Sequence, residues 1–538
     1  MRTVTCLALL SVAACAEPPG YLLCELMDEA AIVSPAEGEF YEPGVNVDFE
    51  AAAIEGESNA PRSGEVEVWL VAGVEPTIKI WSSEASSANH RVRFSLADGN
   101  FEPGFLALET WRSYAVRVRY RGSKDDCELG PWSEFTGFKI GDGSQALFDD
   151  QVIHNIALTI PADSWESIDD EAQPTNSKTP HLRSYYPGTV EFDGMTFVDA
   201  GMRIKGGWGS SRHLDEKSSF KINLSDYGIE EDCPESRRVR GLKRLTLNNQ
   251  VQDGSFVRER LTYELYDLVG VPSARRAPIR LAVNGEHWGL YLHLETVDRR
   301  FLKRRYTSAQ GMLYEGTYRC DIVADNMPGE FGPATCFSMK FSEECSQENP
   351  DGDPYSFAPL RRLSQQIDDL PDDGFYPAVT SIVDFDEYLS LWAADAISGN
   401  WDGAVYGDIN NYRLYHEPLT DLWSYIPSGV DQTFVAPPAA EDTVVLWEPD
   451  SILAKRCLEE DDCEAAFAAR LREVLTIYDG ANFSELAIQM ADQVRDEVYA
   501  DPRKEVTSEE FESEVLATLD YIETRSEVIE DWLGERGY

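Results

Sequence analysis

Asp402, Asn411 and Asp431 are the residues whose types and spacing could do chemistry. A base beside the transferred group, with a carboxamide and a second carboxylate holding a metal, is the layout that phosphoryl transfer uses. Magnesium takes oxygen ligands and keeps several waters, so one Asn and one Asp suffice to anchor it. Asp402 lies in a loop after the helix-like "LSLWAADAIS". Asn411 starts the strand "YRLYH", "EPLTD" turns it, and "LWSYIP" returns antiparallel to deliver Asp431. The same residue types also decorate ordinary loops, and spacing alone leaves both readings open.

Three earlier stretches bear on the choice. "GMRIKGGWGSSRHLDEKSSFKINL" reads as a strand, a Gly- and Ser-rich turn and a return strand carrying Lys217 and Lys221. Small residues let backbone amides approach phosphate oxygens, and a lysine on the return strand can reach them. Gly206, Gly207 and Gly209 equally make a plain hairpin loop. "DGSFVRERLTYELYDLVGV" places Val257, Leu261, Leu265 and Leu268 at helical spacing, with Asp253 or Ser255 as a cap. That helix carries Arg258 and Glu259, and Glu259 could pair with a strand lysine or be a plain surface residue. Glu295 ends the strand "GLYLHLE", where a nucleotide-binding hinge would follow a central strand. This strand is the second arm of a hairpin that turns at Asn284-Gly285.

These elements sit in a chain of 538 residues, too long for one core. Its 43% hydrophobic and 11% aromatic content is that of a globular protein. A formal charge of −49 argues against nucleic-acid binding, which needs a basic footprint, but a few basic side chains can still make a local phosphate pocket. From about residue 24 to 142, short alternating strands such as "GEVEVWLVAG" and "YAVRVRYRG" predict a β-sandwich of the fibronectin type III or immunoglobulin-like kind, with Tyr114 at a corner and Trp132 at the edge. An α+β region follows over 150–445. Over 446–538 the pattern is helical, and Leu519, Ile522, Ile529 and Trp532 form an apolar stripe.

The opening "MRTVTCLALLSVAACAEPP" has the form of a signal peptide over 1–15, and "VAAC" resembles the bacterial lipobox, which would lipidate Cys15. Membrane attachment is expected through that lipid alone. Ten cysteines less Cys6 and Cys15 leave eight, an even number for an exported, disulfide-permitting compartment. Cys24–Cys127 and Cys457–Cys463 are the expected pairs, and the sequence does not assign Cys233, Cys320, Cys336 and Cys345.

The stretch from about Ile153 to Phe434 resembles the CotH kinase family of atypical secretory protein kinases. The matching elements are "RIKGGWGSSRHLDEKSSFKI", "LTLNNQVQDGSFVRERLTYELY", "VNGEHWGLYLHLETVDRRFL", "GMLYEG", "NWDG…NNYRLY" and "WSYIPSGVDQTF", in the expected order. The resemblance implies a reduced, protein-kinase-like bilobed domain. It implies transfer of the ATP γ-phosphate, with Mg2+ or Mn2+, to Ser or Thr hydroxyls of a protein substrate at the cell envelope. Asp402 then matches the catalytic aspartate, and Asn411 and Asp431 match metal ligands. Lys217 and Lys221 share the "KSSFK" pattern as phosphate contacts, with Lys221 preferred. Arg258 matches a helix arginine with a structural or phosphate-orienting role, and Glu259 and Glu295 complete the nucleotide set. One position departs: relatives commonly carry an aspartate where this chain has Gly429. That departure keeps a second reading in play, a non-catalytic surface adhesion or structural protein on the same scaffold. Transfer to a glycan or lipid head group, or nucleotidyl transfer, is also open.

Overall fold

A computed structural model describes residues 31–538 apart from 42–46, 52–62, 73–74, 87–91, 97–98, 104, 106, 109–111, 122–129, 142, 173–182, 208, 227–237, 307, 328–335, 341–356 and 438–443. Cys15, Cys24, Cys127, Cys233 and Cys345 lie outside the described residues. Contacts divide the chain after Asp142.

In the first unit a three-stranded sheet of Ile32–Ser34, Asp48–Ala51 and Val92–Ser95 shares a core with a six-stranded sheet. Alternation buries one face of each strand: Phe49 of the small sheet packs on Trp81 and Phe138 of the large one, at ring distances of 5.6 and 6.0 Å. Tyr114 is buried against Phe138, at 5.6 Å. Two outward residues of the Arg112–Arg121 strand are charged: Arg117 and Arg119 lie over the Trp132 ring at 4.5 and 4.3 Å and pair with Glu67 and Glu65.

The second unit is built on a closed seven-stranded barrel. Its strands are His154–Thr159, Tyr186–Phe192, Met195–Lys205, Ser219–Asp226, Arg244–Asn248, Glu286–Leu294 and Arg276–Val283, in spatial order. The last pairs in parallel with the first, which closes the ring and leaves no strand edge unpaired. Ile156, Met202, Ile204, Phe220, Ile222, Leu247, Ile279 and Leu281 fill it. The expected hairpin is present, with Asn284 and Gly285 at φ 52° and 82°, the left-handed pair that a two-residue turn needs.

A second antiparallel sheet orders Phe337–Lys340, Met312–Gly316, Tyr412–Glu417 and Leu422–Pro427. The helices Arg258–Leu268, Phe385–Ser398, Asp461–Gly480, Phe483–Ala500 and Ser508–Glu535 contribute to one large core. Trp392 and Phe467 stack there with centroids 3.5 Å apart. The C-terminal stripe is inward as expected: Ile522 and Ile529 are buried, and Leu519 and Trp532 pack beside them. A capping box of Thr507 and Glu510 starts the last helix. Cys457–Cys463 and Cys320–Cys336 are disulfides, the first as expected and the second settling one open pairing. No helix among the described residues is long and apolar enough to cross a membrane.

Candidate active site

The Asp402 loop is the best-defined part of the site. The Phe385–Ser398 helix ends at Gly399, and the loop beyond it is tied back by Asn400, whose Nδ2 donates to Asp395 Oδ1 at 3.1 Å and to the Tyr266 hydroxyl at 3.2 Å. Asp402 then meets both asparagines of the next turn. Asn410 Nδ2 donates to its Oδ1 at 3.1 Å and Asn411 Nδ2 to its Oδ2 at 2.8 Å. Burial, with Asp431 adding repulsion, pushes the Asp402 carboxyl up to about 7 against the pull of these amides. A carboxyl poised near neutrality suits a general base.

Asn411 sits just before its strand at φ 51°. Its Nδ2 is committed to the carboxylate and main-chain carbonyl of Asp402 and, at 3.4 Å, to the Gly429 carbonyl. That leaves Oδ1, the atom a hard cation takes. Asp431, buried in the turn beyond the returning strand, also has a raised pKa, first through burial, with Lys205 opposing. Two crowded carboxyls beside a carboxamide oxygen are a donor set that fits Mg2+ or Mn2+. Gly429 fits the same corner by having no side chain: at φ 61° its Cβ would lie 2.7 Å from Asn411 Cγ.

Lys205, which the sequence reading passed over, is the lysine at this cluster. In the barrel register Lys205 pairs with Ser219, and Phe220 pairs with Leu247, so Lys205, Ser219 and Asn248 form a row across three strands. Lys205 Nζ donates to Asn248 Oδ1 at 3.2 Å, and Asn248 Nδ2 donates to Glu259 Oε2 at 2.6 Å. Burial lowers the Lys205 pKa, while Glu259 and Asp431 oppose it. Burial and then Asp431 raise that of Glu259. Asp253 holds the helix start: its Oδ2 accepts from the Arg258 and Glu259 amides at 2.8 and 3.4 Å. A lysine closing a strand directly before Gly206-Gly207 was the available signal.

Lys217, Arg258 and Glu295 are engaged in ion pairs of their own. Lys217 is corrected: its ammonium is buried in an ion pair with Asp501 at 2.6 Å, over the Phe256 ring, and does not reach the cluster. Lys221 lies mid-strand opposite Arg203 and Thr246, two residues along from the Ser219 row. Arg258 binds the C-terminal helix, Nε to Thr518 at 2.9 Å and Nη2 to Glu514 at 2.6 Å, which is its structural rather than its phosphate-orienting option. Glu295 is corrected as well. Burial alone would raise its pKa, but Arg275 and Arg304, at 2.8 and 2.5 Å, outweigh this and hold it at about 2. A carboxylate so engaged braces Arg275 and Arg304.

The family model described as CotH kinase protein matches residues 202–529, more than half of the chain and all of this cluster. The chain belongs to the CotH family. It is similar to Inner spore coat protein H of Bacillus subtilis, 27% identical over 302 residues, covering 55% of this chain and 80% of that protein. It is similar also to Invasin CotH2 and Invasin CotH3 of Rhizopus delemar, 21% identical over 351 and 356 residues. Those matches cover 62% of this chain but only 54% and 55% of the invasins, so the chain spans about half of their length. Among solved structures, fibronectin(III)-like modules of Clostridium thermocellum CbhA overlap 21% of this CotH chain at 17% identity, with a TM-score of 0.14, too low to carry an argument.

Proposed function

We propose that this CotH protein is a phosphotransferase of kinase type that moves the ATP γ-phosphate to a Ser or Thr hydroxyl of a protein at the cell envelope. One observation carries the reading. A half-buried lysine, a helix glutamate, an aspartate flanked by two asparagines and a second aspartate come from segments between Lys205 and Asp431 and meet at one place. In this reading the barrel and the second sheet with its helices act as the two lobes, and the N-terminal sandwich, of fibronectin III or immunoglobulin-like type, serves to position the kinase or its target.

Lys205 would hold the nucleotide phosphates, and Asn411 with Asp431 would hold Mg2+ or Mn2+, which would supply shielding of the phosphate charge. Asp402 accepts the proton as the acceptor oxygen bonds to the γ-phosphorus and the bond to the β-phosphate oxygen breaks, releasing ADP. Asn410 and Asn411 keep both carboxyl oxygens of Asp402 in place. A surface location follows from the names of the spore coat and invasin relatives, and a lipid at Cys15 is the proposed anchor. Those names, with Gly429 in place of a carboxylate, favour the second reading: a surface-binding protein on the same scaffold that transfers nothing.

The test is incubation of the exported, disulfide-bonded protein with γ-labelled ATP and Mg2+ or Mn2+, beside Asp402→Ala. Label that reaches protein and vanishes in the variant supports the kinase. No label, with no ATP-dependent rise in melting temperature, supports the surface-binding reading.

A further inference from the structure

We propose that Asn248 is a positioning residue that joins Lys205 to Glu259 through its side-chain amide; the proposal rests on the phosphotransfer reading above. The amide stands between the two: its oxygen accepts from Lys205 Nζ at 3.2 Å and its nitrogen donates to Glu259 Oε2 at 2.6 Å. An amide presents an acceptor to a cation and a donor to a carboxyl at once, which an ionised carboxylate cannot do.

The rest of the geometry makes this amide the controlling contact. Asn248 is buried in the last position of its barrel strand, and the Ser219 hydroxyl on the neighbouring strand reaches its Oδ1 at 3.4 Å. Its own orientation is thereby fixed by the barrel. Glu259 is fully buried, and its other oxygen, Oε1, has no hydrogen-bond partner, so the Asn248 amide is what orients that carboxyl. Lys205 is surrounded by charges of both signs, Glu259, Asp431, Glu315 and Arg413. A neutral tether keeps its ammonium from collapsing onto one carboxylate and leaves it aimed where phosphate would bind. Asn248 thus acts on the substrate only through Lys205 and Glu259.

The test is a donor–acceptor swap in the full exported chain, reading the KM for ATP, kcat and melting temperature. Asn248→Asp keeps an acceptor for Lys205 but turns an acceptor toward Glu259, and is expected to raise the ATP KM about tenfold with a smaller change in kcat. Adding Glu259→Gln supplies the missing donor from the other side and is expected to bring KM back to within about threefold of the parent. A merely structural Asn248 would lower the melting temperature at unchanged KM, and the two substitutions would multiply instead of cancelling. That result overturns the proposal. Should the parent protein neither bind ATP nor transfer phosphate, the phosphotransfer reading falls, and the rate of Lys205 acetylation at fixed pH, followed by mass spectrometry, decides this inference separately. A rate changed by Asn248→Asp and restored by Glu259→Gln supports the tether, and an unchanged rate refutes it.

Discussion

Gly429→Asp adds the carboxylate that the resemblance leads one to expect at this position, and the structure predicts that it harms the protein. The residue sits at φ 61°, where a side chain costs about 1 kcal/mol. Its Cβ would also stand 2.7 Å from Asn411 Cγ and 2.8 Å from Asn411 Oδ1, closer than real Cβ contacts, so the carboxamide must move. Moving it loosens the bonds from Asn411 Nδ2 to the Asp402 carboxylate and carbonyl, at 2.8 and 3.0 Å, together worth about 2 kcal/mol. The expected total is about 3 kcal/mol of stability. Transfer should fall at least tenfold, because Asp402 loses one of the two amides that orient it. Thermal unfolding and single-turnover transfer, run beside Gly429→Ala, measure this. The alanine variant should reproduce most of the loss, since the first added carbon makes the contact. If the aspartate variant is instead more stable or faster, the steric argument is wrong and the missing carboxylate is what limits this site.

Asp501→Ala should destabilise the second unit by about 3–5 kcal/mol, because it leaves the Lys217 ammonium buried without its partner. Pairing Lys217→Met with Asp501→Leu should recover most of that in a urea titration. Asp402 and Asp395, both pushed up to about 7 mainly by burial, make stability fall as pH rises. Their unfolded-state pKa values are near 4, so between pH ~4 and ~7 the folded chain binds more protons, and above ~7 the benefit is gone. Melting temperature without added metal should therefore decline from pH 5 to 8, and a flat or rising profile counts against those environments. Removing the Cys457–Cys463 bridge, which closes a loop of sequence separation 6, should cost about 2 kcal/mol in the same titration.

What was legible in the sequence was local. The Asn284-Gly285 hairpin and the Arg258–Leu268 helix announce themselves through turn chemistry and apolar spacing within a dozen residues. The C-terminal helices do so through their stripe. Closure of the barrel was not legible, because it depends on His154–Thr159 pairing in parallel with Arg276–Val283, far along the chain. The burial of Lys217 away from the Asp402 cluster was hidden for the same reason. Lys217 lies in a motif that suits phosphate, but its partner Asp501 is 284 residues away, and nothing near Lys217 reveals it. Lys205 is reached only through a register spanning three strands. Asp402, Asn411 and Asp431 were legible because a single hairpin gathers them. Asn248 was not, since an asparagine ending a strand is unremarkable until the lysine and glutamate on either side of it are placed.

The most direct test of the central claim is single-turnover transfer from γ-labelled ATP by Lys205→Met, compared with the parent chain and with the Lys217→Met/Asp501→Leu pair. If the cluster around Lys205, Asp402 and Asp431 performs phosphoryl transfer, the parent labels protein, Lys205→Met loses at least a hundredfold in rate while keeping its melting temperature within a few degrees, and the Lys217 pair retains transfer. Transfer that survives Lys205→Met, or a parent chain that transfers nothing, contradicts the account.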